Sequence, residues 1–373
     1  MDGAAGPDLG ELMLVVDAHA AEGVRRGRLS EPVVAALRSR GMFKLFLPAD
    51  LGGAGLSLPD AVQVIARVAE GDGAAGWALM IGAGPNWFAG WMAPELATEV
   101  FGPTDSVVAG SGALGDALAV DGGWSVTGEW RWCSGAPWAS WFTFSVLAAQ
   151  EQAAMPIVVA VPADEVEVDP DSWDTVGLRG TASWTARLTS CFVPSHRTFG
   201  LTDPAPVRDE AIFSVPFASF AQATMAAVSV GLGRRLVREF VELAEGKVPM
   251  ASDQPLSADR TVQLELGRSV ASLRAAERYF ADAVEALWQM AVDGADPRAA
   301  ADELRLASTH AVSVGGRAAL ALREHAGMSA LVATSPIGRV MADLDAVTHN
   351  AVVSTARIAD AGDALIRNRR RDS

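Results

Sequence analysis

The sequence predicts a mostly α-helical chain with a β domain at its centre: an N-terminal helical domain over 1–104, a β-barrel or sandwich domain over 105–206, and a C-terminal four-helix bundle over 207–373. Three observations predict this class. Helical punctuation and helically spaced apolar residues dominate the first hundred positions. The texture then changes to short β-rich runs broken by Gly, Asp and Pro. After about Ala211 the helical period returns in segments long enough to cross a bundle.

In the first region Ser30 precedes EPVVAALRSR, where Val33, Val34 and Leu37 share a face and Gly41 follows as a C-cap. Ser57 and Asp60 make a capping-box-like start for LPDAVQVIARVAE. Between them LGGAG, 51–55, reads as a loop needing glycine for positive φ. In the middle region the runs SVVAGSG, WSVTGEWRW, WFTFSVLA, PIVVAVPA and ARLTSCFVP read as strands, and DGGW, 121–124, as a hairpin turn. Four helices are expected near 211–245, 257–292, 298–327 and 335–367, with breaks at Gly246, DGADP and Gly327. GLGRRL, 231–236, lacks the third glycine and preceding strand of a dinucleotide fingerprint, so it reads as a small-residue contact in a packed helix.

Bulk properties exclude several functions. A chain of 373 residues exceeds one usual core. A net charge of −15 repels phosphate backbones, and no basic aromatic stripe offsets it, so nucleic acid is not an expected partner. The basic RNRRRDS terminus reads as a solvated helix end. No apolar run approaches the ~20 residues of a membrane span, and MDGAAGPDLG lacks a signal-peptide pattern, so a cytoplasmic protein without membrane attachment is expected. Cys133 and Cys191 lack disulfide-framework or zinc spacing and read as reduced thiols. No two of the five histidines have metal-ligand spacing, and HExxH, a nucleophile elbow and a phosphate loop are absent.

Two stretches carry chemical interest. WRWCSGAPWASW, 130–141, packs four tryptophans around a Cys-Ser-Gly step. On an extended strand Trp130, Trp132 and Ser134 would alternate to one side, with Arg131 and Cys133 on the other. In PIGRVMADLDAVTHNAVV the apolar stripe leaves His349 on a small, polar face with Gly338, Ala342 and Asp345. That face is open to two readings: plain solvent surface, or a face closely approached by something flat, with Asp345 orienting the imidazole.

The order helical, β, helical bundle resembles the acyl-CoA dehydrogenase fold, and within it the two-component flavin-dependent (group D) monooxygenases. Four stretches carry the resemblance: FKLFLPADLGGAGLSLPD (43–60), SGALGDALAVDGGWSVTGEWRWCSGAPWASWF (111–142), WDTVGLRGTASWTARLTSCFVPSHRT (173–198) and SPIGRVMADLDAVTHN (335–350). The resemblance implies a flavin lying against the β domain, held by Gly110, Ser111, Trp132, Cys133, Ser134 and Thr181. Dehydrogenases of this fold remove a substrate proton with a glutamate, whose two family positions fall at Ala351 and near Ala223, and neither side chain accepts a proton.

What the resemblance implies instead is a reduced-flavin-dependent monooxygenase. It takes FMNH2 or FADH2 from a separate reductase, uses O2 as co-substrate and no metal, and works through a flavin C4a-hydroperoxide sheltered from water. His349 and Ser134 are then the catalytic candidates, the first protonating or holding the peroxide, the second bonding the flavin edge while Trp132 walls the ring. Departures from the family pattern are Ala342, where many relatives carry arginine, and GTASW at 180–184. Lys247 and Arg260 are candidates for the cofactor phosphate. Trp87, Trp91 and Trp138 would line a pocket for an aromatic or natural-product-like small molecule, and the bundle helices would form a homo-oligomer, dimer or tetramer. Two other readings stay open: a dehydrogenase or oxidase with an atypical base, and a non-catalytic homologue that binds no flavin.

Overall fold

The computed structural model describes residues 9–148, 156–201, 205–250 and 252–371. Five helices come first: α1 (Gly10–Arg26), α2 (Glu31–Ser39), α3 (Leu58–Gly71), α4 (Gly73–Ala83) and α5 (Pro94–Phe101). α3 begins as its capping box predicts, with the Asp60 N–H donating to Ser57 Oγ at 3.1 Å and that hydroxyl donating to the Asp60 carboxylate at 2.6 Å. Ser30 has the extended backbone of an N-cap, but its hydroxyl makes no capping bond. Asp72 separates α3 from α4 and caps the latter through the Ala75 N–H at 3.0 Å. α4 is apolar on nearly every side, so it is buried all round.

The middle of the chain forms one seven-stranded sheet from β1 (Val108–Val120), β2 (Gly123–Cys133), β3 (Trp141–Ala148), β4 (Ile157–Pro162), β5 (Glu167–Asp169), β6 (Trp184–Pro194) and β7 (Thr198–Gly200), in spatial order β5-β6-β2-β1-β3-β4-β7. β1 and β3 run parallel, and every other pair is antiparallel. The Asp121-Gly122 turn closes the β1–β2 hairpin with Val120 opposite Gly123, and Gly122 takes the positive φ (77°) that such a turn demands. The sheet has its own core, in which Trp130 stacks on Phe144 at 4.1 Å between ring centroids.

Helices resume with α6 (Ala211–Ser214), α7 (Phe217–Gly246), α8 (Arg260–Val292), α9 (Arg298–Ala326), α10 (Pro336–Thr348) and α11 (Ala356–Arg371). Two expected helices are broken. The segment near 211–245 splits at Pro216, which starts α7 instead of continuing α6. The segment 335–367 splits after Thr348. There the Thr348 hydroxyl donates to Asp345 O and Asn350 Oδ1 accepts from the Val352 N–H, local bonds that compete with the helical ladder. His349 is thereby the C-cap of α10, not a mid-helix residue.

Helices from both ends of the chain share one hydrophobic core, which runs from Leu12 to Val353. The GLGRRL stretch makes that sharing possible. A Cβ at Gly231 would stand 2.0 Å from the Ala66 carbonyl oxygen, so α7 meets the backbone of α3 at a distance only glycine permits. Among the described residues no helix is long and apolar enough to cross a membrane.

Candidate active site

The end of β2 does not alternate as an extended strand would. Trp130 and Cys133 both point into the sheet's core, fully buried, and the pairing with β6 slips between them. The slip is a bulge, with Trp132 at φ 66°. Its indole is thrown outward, 67% exposed, with the Arg131 guanidinium 5.8 Å from the ring centroid. Trp130 is instead a structural residue whose indole N–H donates to Ala113 O at 3.0 Å. Burial pushes the Cys133 thiol up to about 12, so it stays an unreactive thiol at neutral pH.

Beyond the bulge, Ser134 is buried in a run of hydroxyls. Its Oγ accepts the Trp77 indole N–H from α4 at 3.1 Å and lies 2.7 Å from Ser183 Oγ; Ser183 lies 2.7 Å from Thr181 Oγ1, which donates to Leu178 O at 2.8 Å. The Gly135 N–H donates to Thr181 O at 2.9 Å, tying the two chain segments together. The segment carrying Leu178 to Ser183 is itself strained, with Leu178 at φ 52° and Ala182 at φ 46°. Three of the chain's four non-glycine residues with positive φ among the described residues thus surround one hydroxyl cluster. Such backbone persists where the surrounding structure over-determines it.

α10 closes the other side of this segment. Gly177 touches it so closely that a Cβ would stand 2.0 Å from Ala342 O and 3.0 Å from the Ala346 methyl. The Leu178 N–H donates to Asp343 Oδ1 at 2.6 Å. Asp343 is buried against Gly73, close to the equally buried Asp72. Burial, and then the Asp72 charge, lift the Asp343 carboxyl to about 7, against the opposing pull of the Leu178 hydrogen bond and the Arg339 guanidinium. Asp72 is raised as well, by burial first.

His349 lies six residues beyond Asp343, about 9 Å along the helix axis. Its side chain is 77% exposed, with Nε2 3.9 Å from Asp345 Oδ1. Ala342 and Ala346 of its helix face abut Gly177, so that face is not plain solvent surface along its length. No recorded contact joins His349 to Ser134. The two are connected through α10 and the 177–183 segment.

The other predicted residues scatter. Gly110 pairs with Thr143, and a Cβ there would meet the Thr143 carbonyl at 2.4 Å; Ser111 begins a register shift in β1 and accepts the Ala113 N–H at 3.4 Å. Trp87 and Trp91 sit together, 5.4 Å between ring centroids, beside Phe88 and Phe217. The Trp91 indole nitrogen is buried with no partner. Trp138 sits instead by the turn after β2, its N–H donating to Gly135 O and its carbonyl accepting from Arg38, and no recorded ring contact places it with Trp87 and Trp91. Lys247 donates to Ala326 O and Arg260 to Gln263, both within the helical region. Cavities of 220 and 400 Å³ lie among α7, α8 and α9, lined by none of the Ser134 network.

Residues 223–355 match the family model described as Acyl-CoA dehydrogenase, C-terminal domain. XiaF from Streptomyces sp., solved in complex with FADH2 and glycerol, superposes with a TM-score of 0.87 at 25% identity, over 96% of this chain and 93% of that one. The chain has the acyl-CoA dehydrogenase fold. Monooxygenases and hydroxylases are among the proteins it is similar to. The indole-3-acetate monooxygenase of Pseudomonas putida is 28% identical over 91% of this chain and 87% of its own length. The FADH2-dependent resorcinol hydroxylase, oxygenase component, of Rhizobium sp. is 27% identical over 84% and 82%.

Ala351, where the resemblance implies a glutamate in dehydrogenases, is exposed in the turn after α10, and Ala223, near the other implied place, is fully buried in α7. The acids that burial has weakened, Asp72 and Asp343, are walled in and committed to backbone N–H groups. Asp345 is exposed beside the imidazole.

The residues fit a flat cofactor at the β2 end. The Trp132 indole is held out of the core on left-handed backbone, at a cost of roughly 1–2 kcal/mol, and within the chain it meets the Arg131 guanidinium and stays two-thirds exposed. It offers a flat surface next to oriented hydroxyls. Sequence reading missed Ser183, Leu178 and Asp343 as parts of this site. The Ser183 hydroxyl, two residues after Thr181 in GTASW, was the available signal.

Proposed function

We propose that this chain is the oxygenase component of a two-component, reduced-flavin-dependent monooxygenase that hydroxylates an aromatic or natural-product-like small molecule. The observation that carries the reading is the outward-facing Trp132 beside the buried Ser134 hydroxyl cluster; alanine at 351 and near 223, where the resemblance implies a dehydrogenase's glutamate, supports it. The names of the similar proteins support it. A separate reductase supplies the reduced flavin, the chain works as a homo-oligomer joined through its bundle helices, and its location is cytoplasmic.

When bound, reduced flavin supplies activated dioxygen, one atom of which goes to the substrate. The chain's own residues do the rest. Trp132 stacks on the ring, the Ser134 and Thr181 segments line its polar edge, and Trp87 and Trp91 give the substrate an apolar wall. The unpartnered Trp91 N–H is the donor an oxygen of the substrate would satisfy. His349 holds or delivers a proton from its imidazole at the mouth of the cleft.

The test mixes the protein anaerobically with FMNH2 or FADH2, then admits oxygen and an aromatic substrate panel, following flavin absorbance, oxygenated product and released peroxide. Product formed with little peroxide is the expected result. Flavin reduction by substrate in the absence of NAD(P)H would point to a dehydrogenase, and failure to bind flavin in either redox state would remove the reading altogether.

A further inference from the structure

Among the described residues the buried charged side chains, Lys44 apart, gather where α4, α7 and α10 meet. Lys44 stands elsewhere, on the Phe101 and Leu51 carbonyls. The gathering holds the acids Asp72, Glu239 and Asp343 and the bases Arg235 and Arg339. Glu239 takes the Arg235 Nε, and Nη1 of that guanidinium donates to the exposed Asp17 and to Gly71 O. Arg339 donates to Thr334 O. A buried carboxyl with no counter-charge keeps its proton instead of ionising. With one more acid than bases, the gathering retains a proton.

Asp72 and Asp343 are the acids without a guanidinium of their own. Each has one oxygen on a backbone N–H, Asp72 on that of Ala75 at 3.0 Å and Asp343 on that of Leu178 at 2.6 Å. The second Asp343 oxygen lies 2.6 Å from where a Gly73 Cβ would stand, which sets it beside Asp72.

We propose that Asp72 and Asp343 share one buried proton, and that the protonated pair is a clasp which fastens the 177–183 segment to α10 and loosens it on ionisation. Two anions this close repel, and water entering between them relieves both the repulsion and the lost hydration. The segment is the side that gives. Asp72 caps a helix buried all round, whereas Leu178 and Ala182 are held at φ 52° and 46°, a strain that release removes. The charges facing the pair are Asp17 of α1, Arg235 and Glu239 of α7, and Arg339 of α10. Behind them Glu70 of α3 is paired with Arg67 and Arg238, and Arg179 of the segment is turned to Asp174 and Val24 O. Leu178 O anchors the Thr181 hydroxyl, and Ser183 and Ser134 follow it, so a loosened segment disturbs the whole hydroxyl cluster. That consequence for the cofactor rests on the functional reading above; the clasp does not. Asp72 and Asp343 are thus positioning residues.

Hydrogen–deuterium exchange of the peptide spanning 174–184 tests the clasp, in the full chain with no flavin added, from pH 5 to pH 8.5 and corrected for intrinsic exchange. Asp343 stands at about 7 when closed, against about 3.9 for a hydrated aspartate. Each pH unit between those values should therefore raise the open population about tenfold, with no further rise above pH 7. Non-denaturing urea should leave the exchange unchanged, the mark of local opening. Asp72→Asn and Asp343→Asn each keep an acceptor for the backbone N–H and match the remaining acids to the two guanidiniums, so the pH dependence should vanish. Either variant serves if the other does not fold. Glu239→Gln restores the same balance without touching the pair and should carry the levelling-off well below pH 7. Flat protection in wild type, a dependence that survives in both Asn variants, or exchange that follows urea as global unfolding does would overturn the clasp. Titration with FMN and FAD, oxidised and reduced, at pH 6 and pH 8 reads the consequence: wild type should bind more weakly at pH 8, and the Asn variants should bind alike at both. Exchange that keeps its pH dependence in a chain that binds no flavin supports the clasp and defeats the functional reading alone.

Discussion

The two candidate catalytic residues sit in opposite kinds of environment. Ser134 is buried, bonded on two sides, and surrounded by backbone that the fold holds in left-handed conformation. His349 stands at the C-cap of α10, 77% exposed, with the Asp345 carboxylate 3.9 Å from its Nε2. Folding alone therefore completes the first half of the site, whereas the second half is left adjustable until something packs on it. Preorganisation is expected where a cofactor edge must be matched, and freedom where substrate enters and product leaves.

The largest effect should come from the joint between the halves. Gly177→Val places a side chain where Ala342 O already stands, 2.0 Å from the new Cβ, so the 177–183 segment must lift from α10. A stability loss of about 3 kcal/mol is expected, measured by urea unfolding, together with loss of flavin binding. Retention of both would mean that the segment and α10 are not coupled as described.

Ser134→Ala comes next. It strands the Trp77 N–H and the Ser134-facing lone pair of Ser183 in a buried place, and about 2 kcal/mol should be lost. Adding Trp77→Phe to it removes the stranded donor and should recover part of that loss, which a urea double-mutant cycle would detect.

The acid at the joint adds a pH dependence. Asp343 is held at about 7 when folded, against about 3.9 in an unfolded chain. Between those values the folded state binds more protons, so this group's contribution is full below about pH 4 and declines as pH rises through 7. Asp72, Arg339, and through Asp72 also Arg235 and Asp17, are the charges that set it. Asp343→Asn keeps an acceptor for the Leu178 N–H but cannot ionise. Thermal melts at pH 5 and pH 8 should show wild type losing more stability than the variant on going to the higher pH. Parallel losses would remove Asp343 as the titrating group.

These contrasts also explain what could be read in advance. The Ser57 capping box and the Asp121-Gly122 turn were legible because each is decided within four residues. The end of β2 was not, because alternation assumes an unbroken strand and Trp132 sits on a bulge whose register is set by β6, some fifty positions away. The continuous helix expected over 335–367 failed for a similar reason: periodicity ignores the competition from Thr348 and Asn350 side chains. Asp343 read as one more polar residue, since nothing local in PIGRVMAD reveals that its carboxylate meets Leu178, 165 positions earlier.

Trp132→Gly tests the platform with a smaller effect on folding. Glycine tolerates the φ of 66° without strain, and the indole it removes is two-thirds exposed, so stability should change by less than about 1 kcal/mol in either direction. Flavin affinity should fall several-fold all the same, because the stacking surface is gone. An unchanged affinity would mean the ring lies elsewhere.

The smallest structural effect belongs to His349→Ala. An exposed C-cap side chain 3.9 Å from its only recorded ionic partner contributes little to the fold, and unfolding should shift by no more than about 0.5 kcal/mol. Its signature is expected in chemistry alone: flavin binds as in wild type, while the ratio of oxygenated product to released peroxide falls. His349→Gln, neutral but still able to hydrogen-bond, separates the two duties given to the imidazole. Recovery of coupling by glutamine would assign it to holding a group in place. Continued uncoupling would assign it to moving a proton. Full coupling in His349→Ala would leave Ser134 and its buried partners as the whole of the site, and the adjustable half of the comparison would lose its catalytic meaning.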